Sequence, residues 1–149
     1  MKTSPRHRSR ELVLQGLYQR QLSGNATGAV REDLAASAGF LRADQPYFDE
    51  MWRGVADEYD ALLAALAPFL DREPKALSPV ERAILIIGAW ELTHRIEIPY
   101  KVVINEAVEL AKSFGGTDGH RFVNGVLDKL ASSVRASEIA ALQRGATGN

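Results

Sequence analysis

Four cations and a histidine stand within the first ten residues of the chain. Lys2, Arg6, Arg8 and Arg10 carry positive charge, His7 lies among them, and no acidic residue interrupts them. This arm is +4, whereas the whole chain of 149 residues is −1, so the other 139 residues sum to −5. A basic arm on an acidic domain is typical of proteins that bind nucleic acid, and a solvated basic terminus is the alternative.

Other chemistries find little support in the sequence. The chain contains no cysteine, which excludes thiol catalysis and disulfide bonds. Glu91 and His94 form one Glu-x-x-His unit, but a di-iron bundle enzyme needs two such units and further glutamates. The glycine-rich segment 115–119 lacks the Lys and Ser/Thr of a P-loop. We therefore expect no catalytic residue, no metal and no cofactor.

Composition and hydropathy bound the class of protein. The chain is 46% hydrophobic and 25% charged, as in an ordinary globular protein. It has no apolar signal segment and no apolar run of about 18 residues, the length that a membrane span needs. The sequence therefore predicts a cytoplasmic protein without a membrane segment.

The element expected to position the polar residues is a helix starting at Ser78. Ser78, Pro79 and Glu81 form a capping box with proline at the first helical position. Residues 83–90 are apolar all round, so this helix must be surrounded by protein. The charged residues at its two ends are expected to reach the surface: Glu81, Arg82, Glu91, His94 and Arg95.

Spacing of apolar residues predicts helices on both sides of this central one. The first runs from Pro5 to about Leu22, with an apolar side of Leu14, Leu17, Tyr18 and Leu22. A short helix is marked by Val30, Leu34, Ala38 and Leu41. A long one steps by four and three through Phe48, Trp52, Val55, Tyr59, Leu62, Leu66 and Phe69. Two more are predicted at 100–114 and after Asp118, with a polar tail from Ser132.

No segment alternates with period two for long enough to form a strand, so the predicted class is all-α. The polar connector 71–75 is the one plausible internal boundary. We expect it to join two small helical bundles, residues 1–74 with the basic arm and residues 75–149 with the central helix and the tail.

The segment 99–130, from Pro-Tyr-Lys-Val-Val-Ile-Asn-Glu to Val-Leu-Asp-Lys-Leu, resembles the signature of the NusB family of bacterial transcription antitermination factors. Arg8-x-Arg10-Glu11, followed by Leu14-Gln15-x-Leu17-Tyr18, resembles the opening helix of that family. The resemblance covers about residues 4–131 and says little about the stretch 25–45 or the tail 132–149.

The resemblance implies two small helical bundles packed on each other and an RNA-binding activity without catalysis. Family members bind the boxA element of nascent transcripts, notably ribosomal RNA leaders, together with NusE, which is also a small-subunit ribosomal protein. That complex joins NusA, NusG and RNA polymerase to suppress termination. The alternative is a NusB-like RNA-binding domain related to ribosomal RNA methyltransferases. Apolar surface left over from the bundles would support a homodimer.

Single-stranded RNA offers phosphates and unstacked bases, so its site needs cations together with aromatic or polar groups. The candidate RNA-binding residues are Arg6, His7, Arg8 and Arg10 in the arm, and Lys112, Phe114, Thr117, Asp118, Phe122 and Asn124 around the Gly115-Gly116 turn. Phe122 is a better stacking candidate than Phe114, although either ring can belong to the core instead. Asp118 either caps a helix or accepts from a base.

For the protein partner, the candidate surface contacts are Tyr18, Glu81, Arg82 and Glu91. NusE must carry basic surface as a ribosomal protein, so acidic groups at the ends of the central helix would complement it. Each of these residues could equally be an ordinary capping or solvated residue.

Overall fold

The computed structural model of the chain describes residues 3–116 and 118–147. Within these residues it contains eight α-helices, three single 3-10 turns and no strand. The helices are α1 (Pro5–Ser23), α2 (Thr27–Ala35), α3 (Gln45–Asp57), α4 (Tyr59–Leu66), α5 (Pro79–His94), α6 (Tyr100–Phe114), α7 (Gly119–Val134) and α8 (Ala136–Thr147). The expected all-α class is confirmed. Thr117, a candidate RNA contact, lies outside the described residues.

Helix α5 forms the centre of the fold, as its apolar sequence predicted. All residues from Ala83 to Leu92 are buried, and α5 packs against α1, α3, α4, α6 and α7. The Ser78 hydroxyl accepts from the Glu81 amide at 3.1 Å, so the predicted cap is confirmed. The second half of the capping box differs, because Oε2 of Glu81 accepts from the Ser78 hydroxyl at 3.1 Å and not from its amide.

Two glycines allow helices to approach α5 closely. A Cβ added at Gly54 in α3 would lie 2.1 Å from Nε1 of Trp90, and one at Gly88 in α5 would lie 2.6 Å from Cδ1 of Leu127. Neither distance is compatible with a real side chain. The indole of Trp90 and the Leu127 side chain therefore fill spaces that only glycine leaves, which fixes how α3 and α7 lie on α5.

The prediction of one long helix from Phe48 to Phe69 was wrong, because the helix is broken at Glu58. Glu58 has φ −112° and ψ 18°, which separates α3 from α4, and the last turn after Leu66 is a 3-10 turn containing Pro68. Phe48, Trp52, Val55, Leu62 and Leu66 are nevertheless all buried. The apolar spacing could not reveal the break because both short helices present their seam to the same core.

The other differences concern which apolar residues are covered. The predicted helix after Thr27 ends at Ala35, and Leu41 is 83% exposed while its neighbour Phe40 is buried in a 3-10 turn. In α1, Tyr18 and Leu22 are 41% and 62% exposed, and the core side includes Leu12 and Val13 instead. The buried apolar side chains of both halves form one cluster, and the boundary at residues 74–75 stays a prediction.

The tail from Ser132, which was predicted only to be polar, contains a buried arginine that binds carbonyls at the C-terminal end of α5. Arg135 donates to the carbonyls of Leu92 at 2.8 Å, Ile98 at 2.9 Å and Arg95 at 2.9 Å, and it pairs with Glu138. Carbonyls at a helix C-terminus have no partner within the helix, and a cation is favourable there. Arg135, between α7 and α8, therefore supplies hydrogen-bond partners for carbonyls at the C-terminal end of α5.

The glycine contacts generate a paired prediction. Gly54→Ala should lower the free energy of unfolding by about 1 to 3 kcal/mol, because the added methyl group overlaps Trp90. Gly125→Ala in α7 meets no atom within 4 Å, so it should raise stability by about 0.5 to 1 kcal/mol through helix propensity. Urea unfolding of both variants measures the difference. If Gly54→Ala stabilised the protein as Gly125→Ala does, Trp90 would not need the space beside Gly54.

Candidate nucleic-acid interface

The arginines of the basic arm lie in the first two turns of α1, whereas Lys2 lies outside the described residues. The Ser4 hydroxyl accepts from the His7 amide at 3.0 Å, and Pro5 occupies the first helical position, so helical geometry begins before the first arginine. Arg6 keeps 43% of its side chain exposed, and Arg8 is half-buried beside Glu11 at the surface. These two residues fit the expected role as surface cations.

Arg10 and Glu91 do not fit their expected roles, because they are buried and bind each other. Nε and Nη2 of Arg10 donate to the two carboxylate oxygens of Glu91, both at 2.8 Å, and the side chains are 4% and 1% exposed. The Tyr47 hydroxyl also donates to Glu91. The prediction of Arg10 as a phosphate contact and of Glu91 as a surface contact is therefore corrected to a buried ion pair between α1 and α5.

Sequence spacing contained a signal for this burial. Arg10 lies four and seven residues before Leu14 and Leu17, on the side of α1 that packs on α5. Burial disfavours the charged guanidinium, but the hydrogen bonds and the charge of Glu91 raise the pKa of Arg10 overall. Burial and the adjacent carboxylate also raise the pKa of Tyr47, so its hydroxyl remains a donor.

His7 joins the arm to α6. Its Nδ1 bonds a carboxylate oxygen of Glu106, and Nη1 of Arg10 lies 3.5 Å from the same oxygen. The hydrogen bond to Glu106 raises the pKa of His7, and the same bond lowers the pKa of Glu106. The His7 side chain is 17% exposed, so its main observed contact is this ion pair rather than solvent.

The guanidinium groups of Arg6 and Arg95 lie on the ring of Tyr47. The carbon Cζ of Arg6 is 4.4 Å from the ring centroid, and that of Arg95 is 4.9 Å from it. Arg95 also donates to Glu50 at 2.7 Å. No role was predicted for Tyr47 from the sequence. The buried Tyr47 ring thus positions the guanidinium of Arg6, which is a surface cation.

The residues predicted around the Gly115-Gly116 turn divide into exposed and covered groups. Lys112, Asp118 and Asn124 are exposed, and Phe114 is 41% exposed at the end of α6. Among the described residues, the Asp118 side chain makes no capping hydrogen bond. Phe122 is half-buried against the core, and the guanidinium of Arg72 lies 4.7 Å from its ring centroid.

Three of the four predicted partner contacts lie near one another. Tyr18 and Phe114 border an apolar hollow of about 290 Å³ that also includes Leu14, Gln15 and Val80. Glu81 and Arg82 follow Val80 directly and are half-buried at the start of α5. Phe114 belongs to the hollow as well as to the RNA candidates, so the two predicted surfaces adjoin.

Comparison with known proteins identifies the family. A model of the NusB family matches residues 7–132. The chain belongs to the NusB family. It is 56% identical over 138 residues to transcription antitermination protein NusB of Cupriavidus pinatubonensis, covering 93% of this chain and 83% of that protein. It is also 52% identical over 145 residues to NusB of Burkholderia ambifaria, covering 97% of this chain and all of the relative.

Solved structures of the family share the fold. The structure of T. maritima NusB has a TM-score of 0.78 at 28% identity, covering 89% of this chain and 94% of that one. A structure of the antitermination factors NusB and NusE in complex with dsRNA has a TM-score of 0.74 at 20% identity, covering 85% and 96%. At that identity the second likeness shows the fold alone.

Two kinds of feature are absent from the described residues. No helix there has the length and apolar character needed to cross a membrane. No group of three or more His, Asp or Glu side chains in the described part of the chain could hold a metal ion.

The buried pair predicts a stability role for Arg10 and Glu91. Glu91→Leu leaves the Arg10 charge without its carboxylate and should cost about 3 to 5 kcal/mol of unfolding free energy. Asp49→Ala is the matched control, because Asp49 accepts two hydrogen bonds from Arg31 in the same manner with both side chains near 38% exposure. The loss of unfolding free energy in Asp49→Ala should stay under about 1 kcal/mol. Equal losses, measured by denaturant unfolding, would contradict the assignment.

The His7–Glu106 pair predicts a pH-dependent stability. The pKa of His7 is raised above its ordinary 6.5 and that of Glu106 is lowered below 4.5. The pair's contribution is therefore fully present between about pH 4.5 and 6.5, and it is lost as pH rises through the raised pKa of His7. The difference in unfolding free energy between the parent and His7→Ala should shrink from pH 6 to pH 9. A constant difference would exclude a charged pair.

Proposed function

We propose that this chain is a transcription antitermination factor that acts by binding RNA and protein, without catalysis. The observation that carries the proposal is the family match over residues 7–132, together with identity above 50% to relatives named transcription antitermination protein NusB. Such a protein works on transcripts in the cytoplasm. The proposed RNA is the boxA element of nascent transcripts, notably ribosomal RNA leaders.

The proposed RNA surface begins at Arg6 and Arg8 and continues at the turn between α6 and α7. Arg6 is held by the Tyr47 ring and keeps nearly half of its side chain in solvent. Held in this way, a guanidinium loses less entropy when it binds a phosphate. Lys112, Phe114 and Asn124 add an exposed cation, ring and amide at the turn. His7 supports this surface through Glu106.

The proposed protein partner is NusE, and the proposed contact surface is the hollow beside Tyr18 with Glu81 and Arg82. One solved NusB was crystallised with NusE and dsRNA, which supports a shared protein and RNA assembly. Tyr18 and Phe114 leave apolar ring surface open there, and Glu81 supplies a carboxylate for a basic ribosomal protein. NusA, NusG and RNA polymerase are then indirect partners. A homodimer stays a prediction.

The proposal is tested by binding to boxA RNA and to a scrambled control, with and without NusE. Tighter binding to boxA, strengthened by NusE, is the expected result. Equal binding to both RNAs in the presence of NusE would contradict the proposed specificity.

The arm gives the sharper prediction. Replacing Arg6 and Arg8 by Ala should reduce the slope of log K against log salt by about 0.7 for each lost phosphate contact. The control is Arg31→Ala with Arg53→Ala, which changes the net charge equally on α2 and α3. Fluorescence anisotropy at several salt concentrations measures both slopes. Equal changes in the two double variants would mean that only net charge matters.

A further inference from the structure

Arg72 lies in the connector between α4 and α5 and contacts two groups. Its Nε and Nη2 donate to the two carboxylate oxygens of Asp71 at 2.6 and 3.0 Å, and its guanidinium lies 4.7 Å from the ring centroid of Phe122 in α7. The Arg72 and Asp71 side chains are 44% and 64% exposed. From the sequence this segment was predicted only to be a polar connector.

The contact with Phe122 explains why this arginine has a defined position. An exposed ion pair between long side chains holds its geometry weakly. Phe122 packs one side of its ring on the core, so the ring offers a fixed surface to the guanidinium. The planar group of Arg72 is therefore oriented by a partly buried aromatic residue while its N–H groups remain at the surface.

The surroundings of Arg72 connect it to the proposed RNA surface. Arg121 comes directly before Phe122 in α7 and Asn124 comes two residues after it, and both are exposed. The hydrogen bond between Arg72 and Asp71 lowers the pKa of Asp71 and raises that of Arg72. The nearby charges of Lys129 and Glu81 add smaller effects in the same directions. Arg72 thus lies beside α7 at Phe122, a candidate RNA residue, with the start of α5 on its other side.

We propose that Arg72 binds a phosphate of the RNA, and that Asp71 occupies the same N–H groups until RNA displaces it. A carboxylate and a phosphate present paired oxygens of similar geometry to the guanidinium fork, so one can replace the other. Asp71 is exposed and adjacent in sequence, and it can turn into solvent without disturbing the core. This inference rests on the proposed RNA-binding function.

The proposal changes the role expected of Phe122. Sequence analysis offered its ring as a bare surface on which a base would stack, but Arg72 lies over that ring. Phe122 becomes a positioning residue that acts through Arg72. Loss of Arg72 should then remove the part of the RNA affinity that depends on charge. A base-stacking role of Phe122 does not predict that loss.

The test uses three single variants of the full chain and one boxA oligonucleotide, titrated at several salt concentrations. Arg72→Ala should weaken binding about tenfold and reduce the salt slope by about 0.7. Arg72→Lys should keep the slope but recover only part of the affinity, since an ammonium group lacks the fork. Asp71→Asn should strengthen binding several-fold because it removes the competing carboxylate.

The same connector supplies the controls. Lys75→Ala removes one exposed cation, and Glu73→Gln removes one exposed carboxylate, from a pair whose atoms lie 3.8 Å apart. Each should change affinity by less than about twofold if position, and not net charge, determines binding. Thermal melting should be unchanged in every variant, since these side chains lie at the surface.

Several results would overturn the inference and leave the proposed function intact. The first is that Arg72→Ala binds RNA like the parent in an assay where the Arg6 and Arg8 variant loses affinity. The second is that Asp71→Asn binds RNA more weakly than the parent. The third is that Arg72→Ala and Lys75→Ala have equal effects on RNA affinity. Loss of NusE binding without loss of RNA binding would assign Arg72 to the protein surface. Failure of the parent protein to bind RNA, with or without NusE, would instead overturn the proposed function.

Discussion

The buried ion pair of Arg10 and Glu91 is the constraint on which the rest of the structure depends. Two charges withdrawn from water are tolerated only when each satisfies the other and the remaining hydrogen-bonding groups find partners. Here both carboxylate oxygens accept from Arg10, and one also accepts from the Tyr47 hydroxyl. The three residues belong to α1, α3 and α5, so the pair fixes how these helices lie together.

The surface of the arm follows from this pair. With Arg10 directed into the interior, Arg6 lies one turn earlier on the same side and rests on the Tyr47 ring. His7 meets Glu106 on α6, while Arg8 remains near the surface. One buried arginine thereby determines which of its basic neighbours can meet a phosphate.

The proposed RNA and protein surfaces share their structural support. Phe114 borders the apolar hollow beside Tyr18 and also ends α6 at the turn that carries the RNA candidates. Oε1 of Glu81 lies 3.1 Å from the position a Cβ would occupy at Gly119, so the start of α5 meets the start of α7. Binding at either surface therefore acts on helices that also form the other, which is consistent with joint recognition of RNA and a partner.

The sequence by itself determined the helical class, the central helix with its Ser78 cap, and the family. Capping chemistry and apolar spacing are local, and a helix without a polar side must be enclosed. Only the tertiary structure decided that Arg10, Glu91 and Arg135 are buried and that Arg72 lies on Phe122. Spacing placed Arg10 on the apolar side of α1, but local spacing does not reveal the partner of a charged residue, and Glu91 stands dozens of residues away in the chain.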